Sequence, residues 1–122
     1  MAVRQALIDE LCAICGDRVS TSDAVRGHHS HGESWHAPGV PDAVVFPVTT
    51  DEVSAVVSAC ARERAPIVPF GMGSSLEGHV NAIHGGVSID LTRMTRVVRL
   101  SPEDLDVTVE AGITRSKLDD HL

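Results

Sequence analysis

Apolar and polar residues alternate along this chain in short blocks, each with its own period. Val3, Leu7, Leu11 and Ile14 recur on one helical face, which predicts a helix over Val3–Ile14, and Gly16 supplies its stop. The stretch Asp17–Asp42 is polar, is broken by glycines and prolines, and holds His28, His29, His31 and His36; it predicts an irregular loop. Ala43–Phe46, closed by Pro47, is a short apolar run that suits a buried strand. Thr49 and Glu52 then stand at capping-box spacing, and Val53, Val56, Val57, Cys60 and Ala61 form one apolar helical face ended by Arg62, Glu63 and Arg64. Pro66–Phe70 is a second strand, and the succession predicts a βαβ unit with parallel strands and a right-handed crossover.

A glycine-rich loop, Gly71–Gly86, separates this unit from three further strand candidates, Val87–Leu91, Val97–Leu100 and Asp106–Ala111. Their links, Thr92–Thr95 and Ser101–Asp104, are short, which favours neighbouring antiparallel strands. Asp106–Glu110 alternates with period two and assigns Val107 and Val109 to the core. Arg115–Leu122 reads as the beginning of a helix.

Composition narrows the function classes. The chain has 122 residues, 43% of them hydrophobic, with Trp35, Phe46 and Phe70 as its aromatics, so the core rests on Val, Ile, Leu and Ala. A net charge of −7 and the absence of a basic stripe oppose nucleic-acid binding. The first sixteen residues carry Arg4, Asp9 and Glu10 among apolar ones and form no secretory signal, and no apolar run approaches a bilayer span. The expected setting is the cytoplasm, with peripheral attachment to the inner membrane left open. Cys12, Cys15 and Cys60 are too few for a disulfide scaffold.

The candidate chemistry lies in Pro69-Phe70-Gly71-Met72-Gly73-Ser74-Ser75-Leu76-Glu77-Gly78-His79. Glycines let a backbone approach a ligand, converging N–H groups can hold an anion, and Ser74 and Ser75 add hydroxyl donors. No lysine or arginine occurs from Pro66 to Leu91, so a phosphate here would be held by backbone dipoles. The dinucleotide fingerprint fails because Leu76 stands where its third glycine belongs and no helix follows. The P-loop fails because His79 and Val80 replace the lysine and hydroxyl that follow its second glycine. Spacing alone leaves open a surface loop that binds nothing.

Several ordered segments nevertheless resemble the FAD-linked oxidase family, which shares the flavin domain of vanillyl-alcohol oxidase and p-cresol methylhydroxylase (PCMH). These are Pro41–Pro47, Glu52-Val53, the loop Pro69–His79, Gly85–Met94, Glu103–Val109 and Ala111–Arg115. Upstream, Ser30–His36 is similar to a segment of the D-lactate (cytochrome) and glycolate dehydrogenases, with Gly32 in place of a common aspartate. The resemblance implies an α+β fold, the N-terminal part of a PCMH-type FAD-binding domain, with a small parallel βαβ subdomain followed by the start of an antiparallel sheet. It divides the chain into an N-terminal helix and irregular loop, 1–40, and the first part of the FAD-binding domain, 41–122.

The resemblance further implies that Gly71, Met72, Gly73, Ser74 and Ser75 wrap the FAD pyrophosphate, that Gly78 and His79 lie along the cofactor, and that Pro69 sets the turn into the loop. Ser74 stands where covalently flavinylated members carry histidine, which implies non-covalent FAD. Family members oxidise D-2-hydroxy acids such as lactate or glycolate and pass electrons to a cytochrome, quinone or flavoprotein. Their catalytic residues and any metal ligands lie in parts not matched here, so no residue of this chain is assigned a catalytic role and a chain of this extent is expected to be a truncated, inactive front part. Unpartnered C-terminal strands then predict self-association through open sheet edges.

Two other readings compete. One is a non-catalytic FAD- or nucleotide-binding module using the same loop. The other is a metal-binding remnant built on Cys12, Cys15, His31 and His36, against which the two cysteines fall inside an amphipathic helix. The sequence assigns Cys60 to packing, the His28–His31 cluster to a solvated loop, and Asp90 and Glu110 to strand ends served by hydrogen bonds or solvent.

Overall fold

A computed structural model describes residues 5–122. Helix α1 spans Gln5–Cys15, so Val3 of the predicted face lies outside the described residues. Leu7, Leu11 and Cys15 form its buried stripe, with Ile14 partly buried beside them. Asp17–Asp42 is more ordered than its polarity suggests. A 3-10 turn at Gly16–Arg18 leads into β1 (Val19–Ser20), and α2 (Asp23–His28) follows. Both elements are too short to show a period; α2 is marked in sequence only by Ser22, whose hydroxyl accepts the Val25 N–H at its N-terminus.

The strands β2 (Ala43–Val45), β3 (Ile67–Phe70) and β4 (Val87–Asp90) join β1 in one sheet of order β1-β2-β4-β3. β1 pairs antiparallel with β2, while β2 and β3 each run parallel to β4. The βαβ unit is therefore split: its two strands are parallel, but β4 lies between them. All residues of β2 and β4 are buried, as expected for parallel strands covered on both faces. Pro69 is accommodated because β3 is an edge strand with no ladder on its outer side.

β4 corrects the expectation of three antiparallel neighbours. Its two edges are occupied by β2 and β3, so no edge remains for the strand that follows. Only β5 (Val97–Ser101) and β6 (Asp106–Val109) form the antiparallel pair, as a separate two-stranded sheet. Val107 and Val109 are half-buried in that ribbon and stand outside the main core. Helix α4 (Arg115–His121) closes the described chain.

The core forms where α1 and α3 (Thr50–Arg62) meet the sheet. Leu7, Leu11 and Cys15 pack with Val56, Ala59 and Cys60 and with Val45, Val87 and Ile89. Each fully buried leucine contributes roughly 1.5–3 kcal/mol. The predicted face of α3 is rotated: Val57 and Ala61 are exposed, and Ala59 takes the buried place. Thr49 caps α3 by accepting the Glu52 N–H at 3.1 Å, while Glu52 reaches back to the Val48 N–H at 2.8 Å. The same carboxylate takes both ends of the Arg18 guanidinium, at 2.9 and 2.5 Å, tying the turn after α1 to the start of α3. The Arg18 hydrogen bond, then that from Val48, holds the Glu52 carboxyl at about 2, well below its ordinary 4.5.

Candidate functional site

Side chains alternate across a strand, so the residues that face α1 and α3 (Val45, Ile67, Val87, Ile89) leave Val44, Phe46, Phe70, Ser88 and Asp90 for the opposite face. Phe46 just beyond β2, Phe70 ending β3 and Asp90 ending β4 therefore share the carboxyl edge of the parallel sheet. In open parallel sheets this edge is the usual seat of a ligand. The glycine-rich loop leaves the sheet from here.

Within the loop, Gly73 turns left-handed at φ +72°, between Met72 and Ser74, neither of which has positive φ. A Cβ on Gly73 would meet Phe70 Cζ at 2.7 Å, so the turn lies directly against the phenylalanine ring. Gly71 has nothing within 4 Å of the same position, and Gly71, Met72 and Ser74 are exposed, which leaves the backbone of this turn open. Farther on, Ser75 Oγ lies 2.8 Å from His79 Nδ1, and Gly78, at φ +77°, abuts the His36 ring. Pro69 lies inside β3, one residue before the strand ends, so it belongs to the edge strand and not to a turn.

The segment around Gly32 packs on the loop from the other side. A Cβ at Gly32 would come within 2.8 Å of the Gly73 carbonyl oxygen and 3.2 Å of that of Ser75. Gly32 thus stands at a position with no room for a side chain. A hollow of about 150 Å³ between His28, His31, Glu33, Phe70 and Met72 opens beside the Gly73 turn. A neighbouring hollow of about 350 Å³ is lined by Ala24, Val25, His28, His29, Phe46 and Asp90. A shallower basin of about 570 Å³ near Thr95, Ile113 and Lys117 contains none of the loop residues.

The histidine cluster divides between solvent and core. His28 and His31 are exposed, but His29 is 3% exposed. Its Nδ1 meets the Val25 carbonyl at 2.8 Å and its Nε2 meets Asp90 Oδ2 at 2.7 Å. Asp90 Oδ1 accepts the Thr92 N–H at 2.8 Å and its hydroxyl at 2.6 Å. Hydrogen bonds rather than solvent thus account for Asp90, and equally for Glu110, which is buried against Arg96. The Arg93 guanidinium lies 4.6 Å from the centre of the Phe46 ring and brings a cation to the same edge, just past the cation-free stretch.

The cysteines do not converge with the histidines. Cys15 is buried in the core, where burial pushes its thiol up, and Cys12 is exposed on the same helix. Burial likewise pushes the Cys60 thiol up to about 11. Among the described residues no group of three or more His, Cys, Asp or Glu side chains is placed to share a metal ion. None of the described helices is long and apolar enough to cross a membrane.

The structure gathers Gly71–Ser75 into one open turn and joins Ser75 to His79. It adds Phe46, Phe70, His29 and Asp90, which sequence reasoning did not assign to the site. Asp90 carried a signal, since a carboxylate ending an apolar strand must find a partner if buried.

Comparison with known proteins gives a consistent picture. Residues 41–122 match the family described as FAD binding domain. A Danio rerio protein named "Probable D-lactate dehydrogenase, mitochondrial" is 45% identical over 122 residues, covering 99% of this chain and 24% of its own length. The Arabidopsis thaliana mitochondrial D-lactate dehydrogenase [cytochrome] is 42% identical, over 98% of this chain and 22% of the relative. Glycolate oxidase subunit GlcD of Bacillus subtilis is 31% identical, over 86% and 23%. The chain thus spans about a quarter of the length of these relatives. The fold superposes on alkyldihydroxyacetonephosphate synthase with a TM-score of 0.87 at 23% identity, over 98% of this chain and 24% of that one. It superposes on substrate-bound p-cresol methylhydroxylase with a TM-score of 0.76 at 22% identity, over 98% and 25%.

Proposed function

This chain belongs to the FAD binding domain family of the PCMH type, and from that premise we propose that it holds FAD non-covalently through the backbone of Gly71–Ser75. The observation that carries the reading is the open left-handed turn at Gly73, seated on Phe70 in a stretch without lysine or arginine. Backbone N–H groups around such a turn converge on an anion, which suits a pyrophosphate. Ser74 offers a hydroxyl donor, Ser75 is engaged with His79, and Gly78 and His79 line the continuation along the cofactor. Met72 contributes its backbone to the same open turn, and Pro69 stiffens the strand that presents it. A serine at position 74 supplies no imidazole for a covalent flavin link.

Bound FAD supplies the two-electron acceptor for oxidation of an alcohol. The proposed substrate of the parent enzyme is a small D-2-hydroxy acid of the lactate or glycolate type, and its electron acceptor a cytochrome, quinone or flavoprotein. The names of the relatives support this. The chain's own task is to bind and orient the cofactor; the residues that handle substrate are assigned to the remaining three-quarters of the relatives' length. In this reading residues 41–122 are the first part of the FAD-binding domain and 1–40 its N-terminal helix and approach. Exposed Val98, Leu100 and Leu105 on the β5–β6 ribbon favour self-association of the chain when nothing covers them. The cytoplasm is the proposed setting; the names of the Danio and Arabidopsis relatives favour a mitochondrion, and cell fractionation decides.

The test is a titration of FAD with the chain, followed by flavin fluorescence, with Gly73→Asp as control. Aspartate would force a side chain into the Phe70 ring at positive φ and set a carboxylate against the pyrophosphate. Saturable binding that the variant loses is the expected result. Equal binding by both refutes the loop assignment; if the wild-type chain shows no saturation, the same pair is compared in the parent protein, where equal binding by both refutes it. Saturable binding in the parent protein without oxidation of D-lactate or glycolate would favour a non-catalytic FAD-binding module.

A further inference from the structure

His29 occupies an unusual position for a residue in a polar, histidine-rich segment. It is buried at the carboxyl edge of the parallel sheet and touches the end of all three parallel strands. Its ring stands edge-on to Phe46 beyond β2, with centroids 5.7 Å apart, and lies against Phe70 at the end of β3, at 4.4 Å. Its Nε2 meets Asp90 Oδ2 at the end of β4 at 2.7 Å. The Val25 carbonyl can only accept, so Nδ1 carries a hydrogen and donates to it. Nε2 makes its hydrogen bond with Asp90 Oδ2, and Asp90 Oδ1 is held by Thr92. The imidazole therefore has both nitrogens satisfied and no freedom to turn.

What His29 fixes is the seat of the loop. Phe70 is the last residue before Gly71, and its far edge is where a Cβ of Gly73 would stand, 2.7 Å from Cζ. Held against His29, the Phe70 ring is the floor of the Gly73 turn. We propose that His29 and Asp90 are positioning residues for the anion-binding loop, acting through the Phe70 ring to hold the Gly71–Ser75 backbone in its receptive turn. This rests on the reading of that loop as the FAD seat. Neither residue touches the ligand. A backbone anion site works only when its N–H groups are aimed in advance, because the loop itself carries no lysine or arginine to follow the ligand if it drifts.

The test uses the whole chain, 15N-labelled, with FAD as the probe. Backbone order parameters of Gly71, Gly73 and Gly78 report the loop, and those of α1 and α3 report the core. In the wild-type chain the loop glycines are expected near the rigid value of about 0.85. Asp90→Ala removes the clamp; the loop values fall below about 0.6 while α1 and α3 stay rigid, and FAD affinity drops about tenfold or more. Asp90→Asn, which keeps an acceptor for Thr92 and an amide toward Nε2, restores both readouts. A loss of general stability would move the helices with the loop and would not be rescued by asparagine.

If Asp90→Ala does not fold, Phe70→Leu decides. It leaves the His29–Asp90 pair in place and removes the ring beneath Gly73, so the same loosening of the loop and loss of affinity are expected. Unchanged loop order and FAD affinity in a folded Asp90→Ala or Phe70→Leu chain overturn the proposal. A loosened loop with unchanged FAD affinity supports the clamp and instead overturns the loop as the FAD seat. If FAD does not bind the wild-type chain, the order parameters alone decide for or against the clamp.

Discussion

Replacing Glu52 with glutamine should cost stability at neutral pH and almost nothing in strong acid. Glu52 serves three partners at once: Arg18 at 2.9 and 2.5 Å, the Val48 N–H at 2.8 Å, and, through its own N–H, the Thr49 cap. Its carboxyl is held at about 2 against an ordinary 4.5, chiefly by the Arg18 hydrogen bond. That difference corresponds to an upper bound of about 3.4 kcal/mol. Both side chains are about one-fifth exposed, 23% for Arg18 and 19% for Glu52, so solvent screening reduces the contribution to roughly 1–2 kcal/mol. Because the folded carboxyl is depressed, the contribution is complete above about 4.5 and disappears as pH falls through about 2. Urea unfolding of the wild-type and Glu52→Gln chains at pH 7 should separate their midpoints by on the order of 0.5–1 M. The gap should narrow steadily below pH 4.5 and close near pH 2. Equal midpoints at pH 7, or a gap that persists undiminished in acid, would refute the ion pair as the source of the effect.

Three further outcomes follow from the geometry. Gly86→Ala should destabilise the chain by about 2–5 kcal/mol in denaturant unfolding, since Gly86 has φ +87° and its Cβ would lie 2.2 Å from the Pro66 carbonyl oxygen; a cost under about 1 kcal/mol would contradict that packing. A thiol reagent at mildly alkaline pH should modify Cys12 alone in the native chain, because Cys15 and Cys60 are buried and both thiols are pushed up; all three should react after unfolding, and reaction of two or more in the native state would count against the core. FAD binding should quench the emission of Trp35, the single tryptophan, which stacks on His36 at 4.5 Å where His36 abuts Gly78; saturation of flavin fluorescence without any change at Trp35 would place the cofactor elsewhere.

Much of this protein was legible from local pattern. The apolar periods set α1 and α3, the short apolar runs set β2, β3 and β4, and Thr49 marked its helix start correctly. These are features that a few adjacent residues decide, because period and capping act over one or two turns. Glycine spacing alone left open a loop that binds nothing; the family resemblance of the ordered segments pointed to an FAD-binding domain, and the match over residues 41–122 agrees.

Tertiary structure alone decided the rest. A strand's own residues say whether it is buried, but its neighbours depend on which edges other strands have taken, so β4 went between β2 and β3 and not beside β5. The rotation of α3 that buries Ala59 and exposes Val57 depends on where α1 presses, which no period within α3 encodes. The same holds for His29, whose sequence neighbours are polar and whose spatial neighbours are two phenylalanines and a buried carboxylate. Its partner Asp90 is 61 positions away. Local sequence determines what a segment can form, whereas burial of a polar side chain is tolerated only where the fold brings it a partner, and that pairing exists only once the chain has closed on itself.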